Sequence, residues 1–135
     1  MSMCWACTDP DGIMLGDNAV EIRGRAHHGY DDMSPFHTPR PRGARWLVVM
    51  AHGHYVPDHE WKREAYRAWK FVDSDIAATE ADCIALDHWD RAVRIGDGRV
   101  PAYYSGSPDP TRTVNVIRLQ SERSVTIDRT SLIWV

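Results

Sequence analysis

Cysteine, lysine and long apolar runs are all scarce in this 135-residue chain. Cysteine occurs three times, at Cys4, Cys7 and Cys83. An odd number with one Cys-x-x-Cys pair argues against a disulfide-built scaffold and suits a reducing compartment, so a cytoplasmic location is expected. Lysine is nearly missing: Lys62 and Lys70 stand beside fourteen arginines. That skew reads as coding bias rather than as a binding chemistry. The longest apolar run, Trp46 to Ala51, has strand length. It falls far short of the ~18–20 residues that a membrane helix needs. The start of the chain has neither a basic segment nor an apolar one, so no secretory leader and no membrane partner are expected. A P-loop, a dinucleotide fingerprint, a serine nucleophile elbow and a Cys-His nucleophile pair are also missing.

What is present is ordinary globular composition, 43% hydrophobic and 26% charged. A chain of this size buries roughly two-thirds of its unfolded surface, which suffices for a core. The formal charge of −3 is unevenly spread: residues 59–90 carry eight acids and four bases, residues 91–135 seven bases and four acids. The acidic middle and basic tail attract each other within the fold, or the tail meets an acidic partner.

Ile13–Leu15 and Ala19–Arg25 flank Gly16-Asp17-Asn18 and read as a hairpin. In its second arm Val20 and Ile22 alternate with Glu21 and Arg23, which predicts a buried apolar face and a wet charged one. Residues 27–43 hold three prolines and two glycines and read as a loop long enough to be functional. Arg45–Ala51 reads as a buried strand. Asp58 caps an expected helix with Trp61, Ala65, Ala68, Trp69 and Val72 on one face. A second helix is expected from about Ile76 to about Trp89. From Ala92 the period changes to two, predicting strands at Ala92–Ile95, Arg99–Tyr104, Thr113–Leu119, Ser124–Asp128 and Leu132–Val135, with a helical turn at Arg129–Ser131. Five short strands with one turn before the last resemble an SH3-like barrel. That resemblance is architectural and covers the last third of the chain. The expected fold is therefore α+β: residues 1–90 form a hairpin and strand with two helices and a metal site, and residues 91–135 form a five-stranded SH3-like β-barrel closed around Val114, Val116, Val125, Ile127 and Ile133.

Two constellations carry metal chemistry. Cys4 and Cys7 have the spacing at which two thiolates grip one zinc ion. A structural site needs four ligands, so Cys83 and a histidine, His88 in the preferred set, would complete it. The second is the histidine-rich segment: six of the seven histidines lie between residues 27 and 59. His52-Gly-His54-Tyr-Val-Pro-Asp58-His59 resembles the metal motif of metallo-β-lactamase-like hydrolases, with two extra residues before the Asp-His pair. The chain is too short for that fold, and none of its activity is carried over. His27-His28, after a strand, resembles the ββα-metal nucleases, whose strand-end histidine activates water. No suitably placed asparagine accompanies it.

Tyr103 and Tyr104, with Arg99 and Arg118, form the expected contact surface for a protein or nucleic-acid partner. The leading expectation is a small non-enzymatic binding module of the kind that phages and mobile elements use as inhibitors or adaptors, stapled by zinc. A second is a metal-dependent nuclease or phosphoesterase using His27, His28, His52, His54, Asp58 and His59. A third is an assembly protein that forms homo-oligomers.

Overall fold

A computed structural model of the chain describes residues 12–17, 19–25, 34–36, 40–57, 60 and 69–133. Strands dominate. The order is β1 (Ile13–Leu15), β2 (Val20–Gly24), β3 (Trp46–His52), β4 (His54–Tyr55), β5 (Lys70–Phe71), α1 (Asp73–Ala78), β6 (Cys83–Asp87), β7 (Ala92–Ile95), β8 (Ala102–Ser105), α2 (Pro108–Thr111), β9 (Thr113–Leu119) and β10 (Val125–Ser131). Six strands form one mixed sheet in the order β1-β2-β3-β6-β8-β7. Its four central strands run parallel, and β1 and β7 pair antiparallel at the edges. β4 with β5 and β9 with β10 make separate two-stranded sheets.

This architecture overturns the expected α+β fold with a closed SH3-like barrel. β7 and β8 do not curl toward the C-terminus; they extend the sheet that contains β1, β2, β3 and β6, so strands on both sides of residue 90 share one sheet. β9 and β10 form a hairpin of their own, with Val125 opposite Leu119 and Ser131 opposite Thr113. The expected turn at Arg129–Ser131 is part of β10. Val114, Val116, Val125 and Ile127 are half-buried, and Ile133 is 87% exposed, so no closed interior surrounds them.

The second expected helix is also corrected. Within residues 73–89 helix is confined to Asp73–Ala78. The Asp75 carboxylate accepts the Val72 N–H at 2.9 Å and opens the helix. Thr79 closes it by donating its hydroxyl to the Ile76 carbonyl, and Glu80 follows at φ 50°. Cys83-Ile-Ala-Leu-Asp87 then becomes a strand between β3 and β8. A four-residue apolar run is compatible with a helix or with a strand buried on both faces, and neighbours decide which. Of the first expected helix, residues 58–59 and 61–68 lie outside the described residues, and Lys70–Phe71 is strand.

The core lies on one face of the sheet. Leu47, Val49 and Ala51 of β3, Ile84 and Leu86 of β6, and Ala102 and Tyr104 of β8 meet Phe36, Phe71 and Ile76 there. The same face includes Glu21 and Arg23, contrary to the expected wet face. Parallel pairing sets Glu21 beside Leu47 and Arg23 beside Val49, and both charged side chains are buried. Arg23 donates to Glu21 at 2.6 Å and to the carbonyls of Arg40 and Pro41 at 3.0 and 2.7 Å. Gly43 N–H closes the network on Glu21 at 2.7 Å. Burial raises the Glu21 pKa, but the bonds from Arg23 and Gly43 and the charges of Arg23 and Arg40 outweigh it, leaving the carboxyl below its usual range. The pair therefore fastens residues 40–43 to the sheet. No helix among the described residues is long and apolar enough to cross a membrane.

Candidate functional site

In open sheets with parallel strands, ligands bind outside the carboxyl ends of the strands. Here those ends are rich in imidazole. His52 is the last residue of β3 and Asp87 the last of β6, and the two are paired in register. Gly53 and His54 follow His52 into β4, and His88 and Trp89 follow Asp87. Gly53 is required between the two histidines: a Cβ there would stand 2.6 Å from the Trp69 carbonyl oxygen. That close approach lets His54 N–H donate to the same carbonyl at 2.8 Å. Below them Tyr104 is fully buried. Its hydroxyl donates to the Gly53 carbonyl at 2.7 Å and accepts the Tyr55 N–H at 3.0 Å.

The side chains converge. His52 Nδ1 lies 3.1 Å from Asp87 Oδ2. An ionised carboxylate only accepts, so Nδ1 carries the proton and the basic lone pair of His52 is on Nε2. Trp89 donates its indole N–H to His54 Nδ1 at 3.2 Å. An indole only donates, so the proton of neutral His54 is on Nε2. The two histidines thus hold opposite tautomers. The His88 ring meets both edge to face, with centroids 5.2 Å from His52 and 5.4 Å from His54. Burial lowers the His88 pKa, and positive charge on His52 or His54 lowers it further, against the opposing pull of Asp87 and Asp90. The His88 backbone has φ 132°, a conformation that L-residues rarely adopt and that is concentrated at functional sites. Trp69 meets His52 at 5.7 Å, and Trp89 stacks on Tyr104 at 4.6 Å with an interplanar angle of 10°.

The structure therefore joins residues that the sequence reading assigned to different sites: His52 and His54 from the hydrolase set, and His88 from the zinc set. It adds Asp87, which no sequence motif marks, and Trp89, which reads in the sequence as a core residue of the expected second helix. Reading Cys83–Leu86 as a strand would have exposed them, because Asp87-His-Trp89 is then a strand-end segment. Cys83 stands apart. It opens β6 whereas His88 follows its end, a separation of roughly 16 Å at strand rise. One tetrahedral zinc with ~2.3 Å sulfur bonds does not reach both. Cys83 is also completely buried, and desolvation, then the Asp82 charge, pushes its thiol up to about 12. Cys4, Cys7, His27, His28, Asp58 and His59 lie outside the described residues. Among the described residues, no group of three or more His, Cys, Asp or Glu side chains is arranged to hold a metal ion. The donor set gives a reason at His54, whose Nδ1 lone pair already accepts the indole proton.

The expected contact surface is dispersed. Tyr104 belongs to the core, and Tyr103 is half-buried with the Arg94 guanidinium over its ring at 5.8 Å. Arg99 is engaged in its own turn by Asp97 at 2.5 Å, and Arg118 pairs with Asp128 across the hairpin. On the other side of β6 and β8, a largely apolar groove of about 270 Å³ separates the sheet from the β9–β10 hairpin. No protein-family model matches the chain, and neither a curated protein nor a solved structure matches it.

Proposed function

We propose that the chain is a small hydrolase that activates water at the His52–Asp87 pair for attack on an uncharged ester. The observation that carries this reading is the Nδ1–carboxylate contact of His52 beside two further imidazoles at the strand ends. Asp87 orients the ring and stabilises the imidazolium that forms when His52 Nε2 takes a proton from water. His54, with its proton on Nε2, is a donor to the oxygen that gains negative charge as the tetrahedral intermediate develops; the intermediate then collapses with cleavage of the acyl–oxygen bond, and the His52 imidazolium returns its proton to the departing alkoxide. His88, held toward its neutral form, adds no positive charge to oppose protonation of His52. An uncharged ester fits better than a phosphate dianion because the Asp87 carboxylate stands 3.1 Å from the His52 ring and would repel the dianion. The binding-module expectation loses its carrier with the closed barrel.

The test compares wild type, His52→Asn and Asp87→Asn on p-nitrophenyl butyrate, p-nitrophenyl phosphate and bis(p-nitrophenyl) phosphate, with and without added divalent metal. The expected result is turnover of the carboxylic ester by wild type, falling by about 10²-fold or more in His52→Asn. Equal rates for wild type and His52→Asn overturn the proposal. Turnover confined to the phosphoesters overturns the choice of substrate.

A further inference from the structure

The groove beneath the hairpin and the His52–Asp87 pair share the face of the sheet opposite the core, because both residues alternate with the core-facing Ala51 and Leu86. Alternate strand residues point to the same side, so Ala85 on the groove floor and Asp87 at the site project together. They are about 6.6 Å apart along β6. Ala85 pairs with Tyr103 on the neighbouring parallel strand, and continuing that register sets Ser105 beside Asp87. Ala85, Tyr103 and Ser105 all line the groove. Its floor therefore runs along the strands toward the His52–Asp87 pair. The opposite wall is supplied by Asn115, Ile117 and Ile127 of the hairpin, and Ile117 and Ile127 are a cross-strand pair.

We infer that this groove is the subsite for the apolar part of the substrate, a linear acyl chain of medium length. Three features choose that occupant. The lining is predominantly aliphatic, which suits an uncharged hydrocarbon. A cavity of roughly 150 Å³ takes one benzene, so a groove of about 270 Å³ holds roughly ten carbons. The shared register aligns the groove with the pair that activates water, so a chain seated there presents its carbonyl to His52. Alanine at position 85 leaves the floor low; a longer side chain would fill the space. The inference rests on the hydrolase reading for the word substrate, whereas occupancy of the groove by alkyl chains is tested without turnover.

The experiment measures binding of 1-butanol, 1-octanol and 1-decanol to the full chain by calorimetry, in wild type, Ala85→Leu and Ile127→Trp. Each added methylene is expected to tighten binding about three- to fourfold while the chain remains in the groove. Decanol, longer by six methylenes, should therefore bind on the order of 10³-fold tighter than butanol in wild type. That gradient should collapse in Ala85→Leu, which fills the floor, and in Ile127→Trp, which fills the space from the half-exposed hairpin. Far-UV circular dichroism identifies a variant that has failed to fold, and the other variant then decides. A gain of less than about thirtyfold from butanol to decanol overturns the inference, as does an unchanged gradient in a folded filled-groove variant. The kinetic arm follows p-nitrophenyl esters from acetate to decanoate. A rise in kcat/KM with chain length that is lost in the same variants supports the subsite. Alcohol binding with the full gradient, but no ester turnover above His52→Asn, overturns the hydrolase reading and leaves the groove an alkyl-binding site.

Discussion

The hydroxyl of buried Tyr104 binds the carbonyl of Gly53, the residue between His52 and His54, at 2.7 Å. It also accepts the Tyr55 N–H on the far side of His54, and its ring supports Trp89, which holds His54 in turn. One core residue thus secures the backbone on both flanks of His54 and the partner of its side chain. Tyr104→Phe keeps the stacking and removes both hydrogen bonds, leaving a carbonyl and an N–H to find other partners. The expected cost is about 1–3 kcal/mol in urea unfolding, with a larger fractional loss in kcat than in KM. No change in unfolding would show that the hydroxyl is dispensable to the strand ends.

Asp87 is 77% exposed at its side chain, so its replacement leaves the core untouched. Asp87→Asn should alter stability by no more than about 0.5 kcal/mol. It should lower ester turnover by about 10²-fold or more, because an amide that turns its NH₂ toward Nδ1 favours the wrong tautomer. Unfolding curves and initial rates on the same preparations separate the two effects.

His88 makes stability depend on pH. Its folded pKa lies below the ordinary value of 6.5, through burial first and then the charges of His52 and His54, with Asp87 and Asp90 opposing. The unfolded imidazole therefore binds its proton first as pH falls. The stabilisation is present above about pH 6.5 and is lost on descent through the interval below it, toward the lowered folded pKa. Urea midpoints at pH 8, 6.5 and 5 should fall in that order, and His88→Gln should reduce the slope. An equal slope in that variant would assign the dependence to other groups.

The His88 backbone yields a second measurement. Glycine adopts φ 132° without a Cβ penalty, whereas alanine retains that penalty and, like glycine, loses the ring. His88→Gly should therefore be more stable than His88→Ala by about 1 kcal/mol. The reverse order would show that the position relaxes to negative φ at no cost.

Cys83 should resist alkylation in the folded chain. Its complete burial and a thiol pKa pushed up to about 12 leave almost no accessible thiolate at pH 8. Iodoacetamide treatment followed by peptide mass spectrometry should find Cys83 unmodified under native conditions and modified in urea. Rapid native labelling at Cys83 would mean that β6 opens readily.

Local chemistry made several elements legible. Gly16-Asp17 turns the chain between β1 and β2, the run Trp46 to Ala51 reads as a buried strand, and period-two alternation marks β7 and β9 at their observed bounds. The histidine-rich segment identified His52 and His54 as candidates. The same local reading failed at Cys83–Asp87, where four apolar residues in an acidic stretch fit a helix face and a central strand equally well. It also failed at Glu21 and Arg23, whose charge predicts solvent.

The sequence by itself determined which short segments turn and which extend, because those choices depend on a few neighbouring φ/ψ preferences and on side-chain alternation. Tertiary structure decided the partners. Pairing with β3 and β8 made Cys83–Asp87 a strand, since its backbone N–H and C=O groups are satisfied there on both sides. Parallel register with β3 carried Glu21 and Arg23 onto the core face, where mutual hydrogen bonds offset their desolvation. The same β3–β6 register brought Asp87 to His52 across 35 residues of chain and placed His88 against two imidazoles. Such contacts depend on non-local strand pairing, and no spacing along the sequence encodes them.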